Sequence, residues 1–564
     1  MLISVVILLY TFLILYIYGQ GLVALIERIF TKSSQIPLPF ILIIGLMTVT
    51  TLASIASIFI RINWEFQAFL LLGALALALL VLRRKVSLPK VSLRQFSLLQ
   101  KVGLVFCGLS MLLLLYAATL APSNPDTGIY HAQAIHWIES YPAVPGLANL
   151  HERLGYDSSW LVATAIFSFS YLKVQSFHLL AAAFFLILAG YGYQGIHELL
   201  GKKYRLSNFL KLGFFLSIFI FQFDQISSPG TDSPTTLLIW FIVAQTIQFF
   251  EEGQAADELQ GFFLILLGFY CITIKISSAP ILLLALGLML VLRYFKNSRA
   301  LWTAVIGAFV VLIPFVVRNF ILTGYPVFPG FPINLFHFDW AFPVSSVKAE
   351  SSVIHWFATL HGVQIERFYT MSLRAQLTQW YGSLLPRYKA ILLFIGAAAL
   401  LNIVLCVFKK WRTLIRNNWK FVIVYLTVIA GCVFWLLSAP AFRFGFGFIL
   451  AAVFLLGAPV CVFLVEKIDL LARVTPWLVL LGCIALVGLN VKPYVKIAKV
   501  PDTLVMPAAY PTWSSEPCGF GNFKLLCQAG YDSCWYSPFP CAIQGNEHVM
   551  MRGKDYRDGF RNVP

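Results

Sequence analysis

Stretches of about twenty apolar residues recur along nearly the whole chain, and this recurrence restricts the fold more than any other feature. They lie at about 2–27, 37–60, 66–82, 102–120, 174–198, 209–222, 234–250, 261–275, 279–293, 301–320, 389–408, 421–437, 446–465 and 476–491. A helix crossing the hydrocarbon core needs ~20 such residues, because each adds ~1.5 Å and every backbone polar group must be bonded within the segment. The pattern predicts an all-α polytopic membrane protein with about fourteen transmembrane helices. Composition agrees: of 564 residues 59% are hydrophobic and 12% charged, against roughly 25% charged in a soluble domain. Mean hydropathy is +0.82, which excludes a water-soluble fold. The first run has no basic stretch before it and no small-residue cleavage site, so it reads as a retained span rather than a signal peptide.

The formal charge of +17 does not point to nucleic acid, because the basic residues form short clusters between apolar runs. These are Arg28 and Lys32, Arg83 to Lys101, Lys202 to Lys211, Arg293 to Arg299, Lys409 to Lys420 and Lys467 to Arg473. If they stay cytoplasmic, 121–173, 221–233, 321–388, 438–445 and 492–564 all lie on the opposite side. The acidic stretch 251–260 is placed with the basic clusters by alternation alone. Six of the ten cysteines lie within apolar runs, whereas Cys518, Cys527, Cys534 and Cys541 cluster in the polar tail. Four cysteines in a loop-rich tail fit two disulfides in an oxidising compartment, in any of three connectivities. A zinc site and unpaired thiols are the alternatives, although no Cys-x-x-Cys pair is present.

The first long loop runs Ala-Pro-Ser-Asn-Pro-Asp-Thr-Gly-Ile-Tyr-His-Ala-Gln-Ala-Ile-His-Trp-Ile-Glu from Ala121 to Glu139. Asp126 follows a strong span almost at once, after Pro125, so an acid is held at the membrane surface. Regular helical spacing places Tyr130 and Trp137 near its face, with His131 further round. Such an acid can accept a proton from an alcohol or hold a metal beside a lipid-borne substrate, and it can equally cap an interfacial helix.

An acid soon after a span, then Tyr130-His131, Trp137 and the stretch Arg153-Leu154-Gly155-Tyr156-Asp157-Ser158-Ser159-Trp160, resembles the glycosyltransferase C superfamily over about 102–445. Those enzymes move sugars from polyprenyl-phosphate donors, and they include protein mannosyltransferases and the aminoarabinose transferase of lipid A. The resemblance implies a catalytic Asp126 and a substrate loop containing Arg153, Tyr156 and Trp137. It also implies a second acid, Asp224 or Asp232, which with Tyr130 and His131 serves the acceptor or a metal. Asp232 also reads as a plain helix cap before Ser233-Pro234.

A phosphate leaving group needs nearby positive charge, and an arginine fork suits it. Arg318 and Arg443 end spans on the side opposite the basic clusters, against the usual charge bias, and Lys275 ends a short apolar run. All three can also snorkel toward lipid headgroups. The loop 321–388, with His337, His355, His361, Trp340, Trp356 and Trp380, suits stacking on sugars or covering a site.

The resulting expectation is a glycosyltransferase, inverting as the resemblance implies, working on the periplasmic face of a bacterial inner membrane. Its partners would be the lipid-linked donor, a glycan, lipid or protein acceptor, and membrane lipids. Magnesium or manganese on Asp126 and Asp232 is left open. Residues 1–101 would be additional helices, 102–491 the catalytic domain and 492–564 a cysteine-containing tail. A lipid-glycan flippase, or an O-antigen polymerase or ligase, is the rival reading. No phosphate-binding loop, dinucleotide fingerprint or nucleophile elbow is present.

Overall fold

The computed structural model describes residues 1–30, 36–82, 93–173, 175, 178–252, 258–294, 298–330, 334–360, 362–409, 411–412, 419–497, 503–512, 514–528 and 533–563. Lys32, Arg83 to Lys90, Asp257, Lys296, Lys410, Arg416 and His361 lie outside the described residues.

Among the described residues ten helices are long and apolar enough to cross a membrane: Leu2–Ile29, Leu38–Ala56, Leu98–Ala117, Leu180–Leu200, Leu206–Gln225, Asp232–Glu251, Ser298–Thr323, Pro386–Leu405, Phe442–Lys467 and Asp469–Lys492. The chain is a multi-pass, helical membrane protein. Shorter apolar helices stand at the other four runs: Trp64–Leu79, Glu258–Ile274, Ile281–Leu290 and Val422–Ser438. Asp232–Glu251 sits at the middle of the bundle and is buried along almost its whole length, whereas Pro386–Leu405 turns nearly all of its surface outward. An apolar outward surface is what lipid requires.

The loops expected on one side do share one end of the bundle. Asn124 Nδ2 donates to Gln225 Oε1 at 2.9 Å, Asn149 Nδ2 donates to the Trp340 carbonyl at 2.9 Å, and Arg443 pairs with Asp126 at 3.0 Å. Glu251, the first residue of the acidic stretch, falls at the opposite end, because the Ser207 backbone N–H donates to Glu251 Oε1 at 3.3 Å beside the Lys202–Lys211 cluster.

The tail adds short strands to the helical fold. Ser515–Gly519 pairs antiparallel with Lys524–Gln528, which pairs parallel with Cys541–Ala542, and Val549–Met551 pairs with Phe560–Asn562. Disulfides Cys518–Cys527 and Cys534–Cys541 select one of the three connectivities. The tail contributes Phe520, Leu525, Val549 and Phe560 to an apolar core shared with Trp137, Val144, Leu147 and Leu154 of the first loop. Strands this short need that partner surface to be stable.

Candidate functional site

Asp126 stands in a chain of alternating charge. Arg153 lies 3.8 Å from one of its oxygens and Arg443 3.0 Å from the other; Arg443 also lies 3.9 Å from Asp232, which Lys275 binds in turn. Phe444 lies under two of the cations, with Lys275 Nζ 4.2 Å and the Arg443 guanidinium 4.8 Å from its ring centre. The order is therefore cation, acid, cation, acid, cation, assembled from five separate segments.

Local chemistry explains each placement. Asn124 Oδ1 accepts the Asp126 backbone N–H at 3.0 Å and Pro125 opens the helical turn, where its missing N–H costs nothing. The Asp126 side chain makes no capping bond, so both oxygens are left for the arginines. Thr127 and Ser228 share a hydroxyl bond at 2.7 Å, tying this turn to the segment that leads into Asp232.

The stretch Arg153 to Trp160 acts residue by residue. Arg153 reaches Asp126, and the Tyr156 ring packs edge-on to Tyr130 at 5.8 Å. Ser158 Oγ donates to the Ile274 carbonyl at 2.7 Å and Ser159 bonds the Thr273 hydroxyl at 2.7 Å, which fixes the helix end bearing Lys275. Arg443 lies in the first turn of Phe442–Lys467, whose entry is held by Trp435 and Trp380 donating to the carbonyls of Ala441 and Pro440.

Tyr130 and His131 lie in a π-helical turn, Thr127–His131, a wider winding frequently found at functional sites. His131 is 2% exposed and neither ring nitrogen has a hydrogen-bond partner among the described residues. Burial pushes its pKa down to about 4, so the ring is neutral at neutral pH. Burial also drives the Tyr130 phenol well up, with Asp126 adding to it. Tyr156 donates to Glu350 of helix Val344–Leu360, and burial raises both of these groups.

Three expected residues stand apart from this cluster. Asp224 is exposed on a short turn, so the second acid of the cluster is Asp232. Trp137 is 2% exposed and packs on Phe539 and Phe560 of the tail. Regular winding would have kept it near Asp126, but the π turn inserts one extra residue between them and rotates all that follows by ~100°. Arg318, 4% exposed on its side chain, pairs with Asp157 at 3.0 Å and donates to Ser57 Oγ at 2.7 Å. Sequence reasoning missed Glu350, Phe444 and the role of Asp157. A polar residue inside the quoted stretch was the one available signal for Asp157; nothing local marks the other two.

A divalent metal does not fit this donor set. Asp126 and Asp232 are both already opposed by cations, and among the described residues no third His, Cys, Asp or Glu joins them as a ligand group.

Two further histidines, His136 half-buried and His178 buried, lie where the first loop meets the tail. His136 packs on Tyr536 at 3.7 Å and on Phe539, with Glu139 Oε2 4.0 Å away, while His178 faces Tyr510 at 4.2 Å and Tyr536 at 5.9 Å. Burial lowers them to about 4 and about 3. Both folded values lie below the ordinary ~6.5, so the unfolded chain takes up protons first and stability falls as pH drops from ~6.5 toward 4. The thermal midpoint should decline over that window, and less so in His136→Phe/His178→Phe; an equal decline in the variant would assign it to other groups.

No curated protein and no solved structure matches the chain. Residues 1–450, which include every member of the charge chain but not the tail, match the family described as a domain of unknown function, DUF8201, and the protein belongs to that family.

Proposed function

We propose that this protein is an integral membrane glycosyltransferase of the glycosyltransferase C type, with about fourteen spans. It would transfer a sugar from a polyprenyl-phosphate donor to an acceptor hydroxyl on the face carrying the long loops, the periplasmic one if the basic clusters stay cytoplasmic. The supporting observation is the convergence of Asp126 with Arg443, Asp232, Lys275 and Arg153 at one end of the helical bundle. Among the described residues the ion pairs of this cluster set three cations against two acids, so a phosphate can replace a carboxylate on Arg443 or Lys275.

That exchange links binding to chemistry. A phosphate oxygen taking the Arg443 fork loosens Asp126, whose freed oxygen can accept the acceptor's proton. The acceptor oxygen bonds to the anomeric carbon, the bond from that carbon to the phosphate oxygen breaks, and its electron pair leaves with the polyprenyl phosphate. Negative charge then grows where Arg443 and Lys275 lie, which lowers the barrier. His131, neutral and without a hydrogen-bond partner among the described residues, is suited to a sugar or acceptor hydroxyl.

The test is transfer of labelled sugar from polyprenyl phosphate in proteoliposomes. Asp126→Asn keeps the shape but removes the base, and should lower kcat by about 10²-fold while the lipid donor still binds. Undiminished transfer would sink the role given to Asp126. Movement of the lipid donor across the bilayer without any transfer would favour a flippase.

A further inference from the structure

The tail bears directly on the site's geometry. Trp535 lies in the disulfide-closed loop between Cys534 and Cys541, with its φ at 44°, in the left-handed region that a bulky residue avoids unless its surroundings hold it. Its backbone N–H donates to the Gly128 carbonyl at 2.8 Å, and its indole covers Gly128 so closely that a Cβ there would overlap the ring. Gln133, two residues past the π turn, grips the same loop from both directions. Its Nε2 donates to the Trp535 carbonyl at 3.1 Å and its Oε1 accepts the Cys541 N–H at 3.2 Å.

We propose that the loop 534–541 is a clamp that holds the π turn Thr127–His131 in register, with Trp535 the positioning residue for Asp126, Tyr130 and His131. A π turn is a poor helix by itself, since it gives up the tighter packing of the α form, and it persists where tertiary contacts hold it. Here those contacts come from a rigid loop anchored by a covalent bond on one side and by Gln133 on the other. The turn lies within the family-matched residues and the clamp beyond them. The donor cations Arg443 and Lys275 sit on other elements, so losing the clamp should misplace the base and acceptor groups and leave the donor's phosphate site in place.

The proposal rests on the glycosyltransferase reading only for its activity readout. Full-length Trp535→Ala, Trp535→Phe, Gly128→Ala and the double variant Gly128→Ala/Trp535→Ala would be compared by hydrogen exchange over 124–140 and by sugar-transfer kinetics. In Trp535→Ala, exchange at 127–133 should rise by about tenfold or more. The kcat should fall by about 10- to 100-fold with the donor KM within about threefold, and Trp535→Phe should recover most of it. Gly128→Ala should be harmful alone yet add nothing to Trp535→Ala, because the ring it strikes is gone. Unchanged exchange in Trp535→Ala, or full additivity of the two substitutions, overturns the clamp. Loosened exchange with unchanged kcat overturns the positioning role. If the wild type transfers no sugar, the reaction has been misread and exchange alone decides the clamp.

Discussion

Arg443→Ala should reduce sugar transfer by about 10³-fold, the largest loss of any single side chain in the charge chain. Arg443 is the member placed against both acids, 3.0 Å from Asp126 and 3.9 Å from Asp232. Without it the two carboxylates lose their shared counter-charge, and in the proposed reaction the departing phosphate would lose a two-pronged donor. Arg443→Lys should recover no more than about tenfold, because an ammonium is a point charge and cannot span two carboxylates as a planar fork does. The variant should still fold: the turn into Phe442–Lys467 is fixed by Trp435 and Trp380 and by Phe442 stacked on Tyr388 at 4.2 Å, none of which needs the guanidinium. The measurement is kcat and donor KM in proteoliposomes alongside the thermal midpoint. Transfer within about threefold of wild type would remove Arg443 from the mechanism.

The apolar runs were readable because spanning a membrane imposes a length and a composition on a local stretch of chain. All fourteen runs correspond to helices among the described residues, ten of them passing as spans on length and hydropathy. The remaining four are shorter, and a local window cannot tell whether neighbouring helices cover their ends. Asp126, Asp232, Arg443 and Lys275 were each visible as charges at or near the ends of apolar runs, a costly position that asks for a partner, whereas Arg153 was visible only through the resemblance of the stretch Arg153 to Trp160. What stayed hidden was which partner. Asp224 and Asp232 are eight positions apart in one short segment, and only its fold decides that one is exposed while the other opens a helix beside Lys275. Trp137 departs from its expected place for a sharper reason: regular helical spacing has a period of 3.6, and the turn at Thr127–His131 departs from it. Gly128 was the only local hint of that departure, and its meaning depends on Trp535, more than 400 residues further on.

Arg318 presents the reverse case, in which the right residue type at a suitable depth has another occupation. Its side chain is 4% exposed and its partner Asp157 3%. The pair ties the helix Ser298–Thr323 to the first loop just beyond Tyr156, and Ser57 adds a third element. Asp157→Ala would leave a buried guanidinium whose remaining side-chain partner among the described residues is the Ser57 hydroxyl, at a cost of about 3–5 kcal/mol. The expected result is a sharp fall in thermal midpoint or loss of folded protein. Replacing both partners, Arg318→Met with Asp157→Leu, removes both charges together and should recover most of that stability, since burying two apolar groups avoids the desolvation of two ions. The double variant also separates the two roles that arginine can have at this depth. If Arg318 serves only to hold the loop on the helix, the restored protein transfers sugar at close to the wild-type rate. If Arg318 also binds the donor's phosphate, the protein is stable but its donor KM rises by about tenfold or more, the loss of one charged hydrogen bond. The buried pairing of Arg318 with Asp157, with no guanidinium contact to Asp126 or Asp232, favours the first outcome.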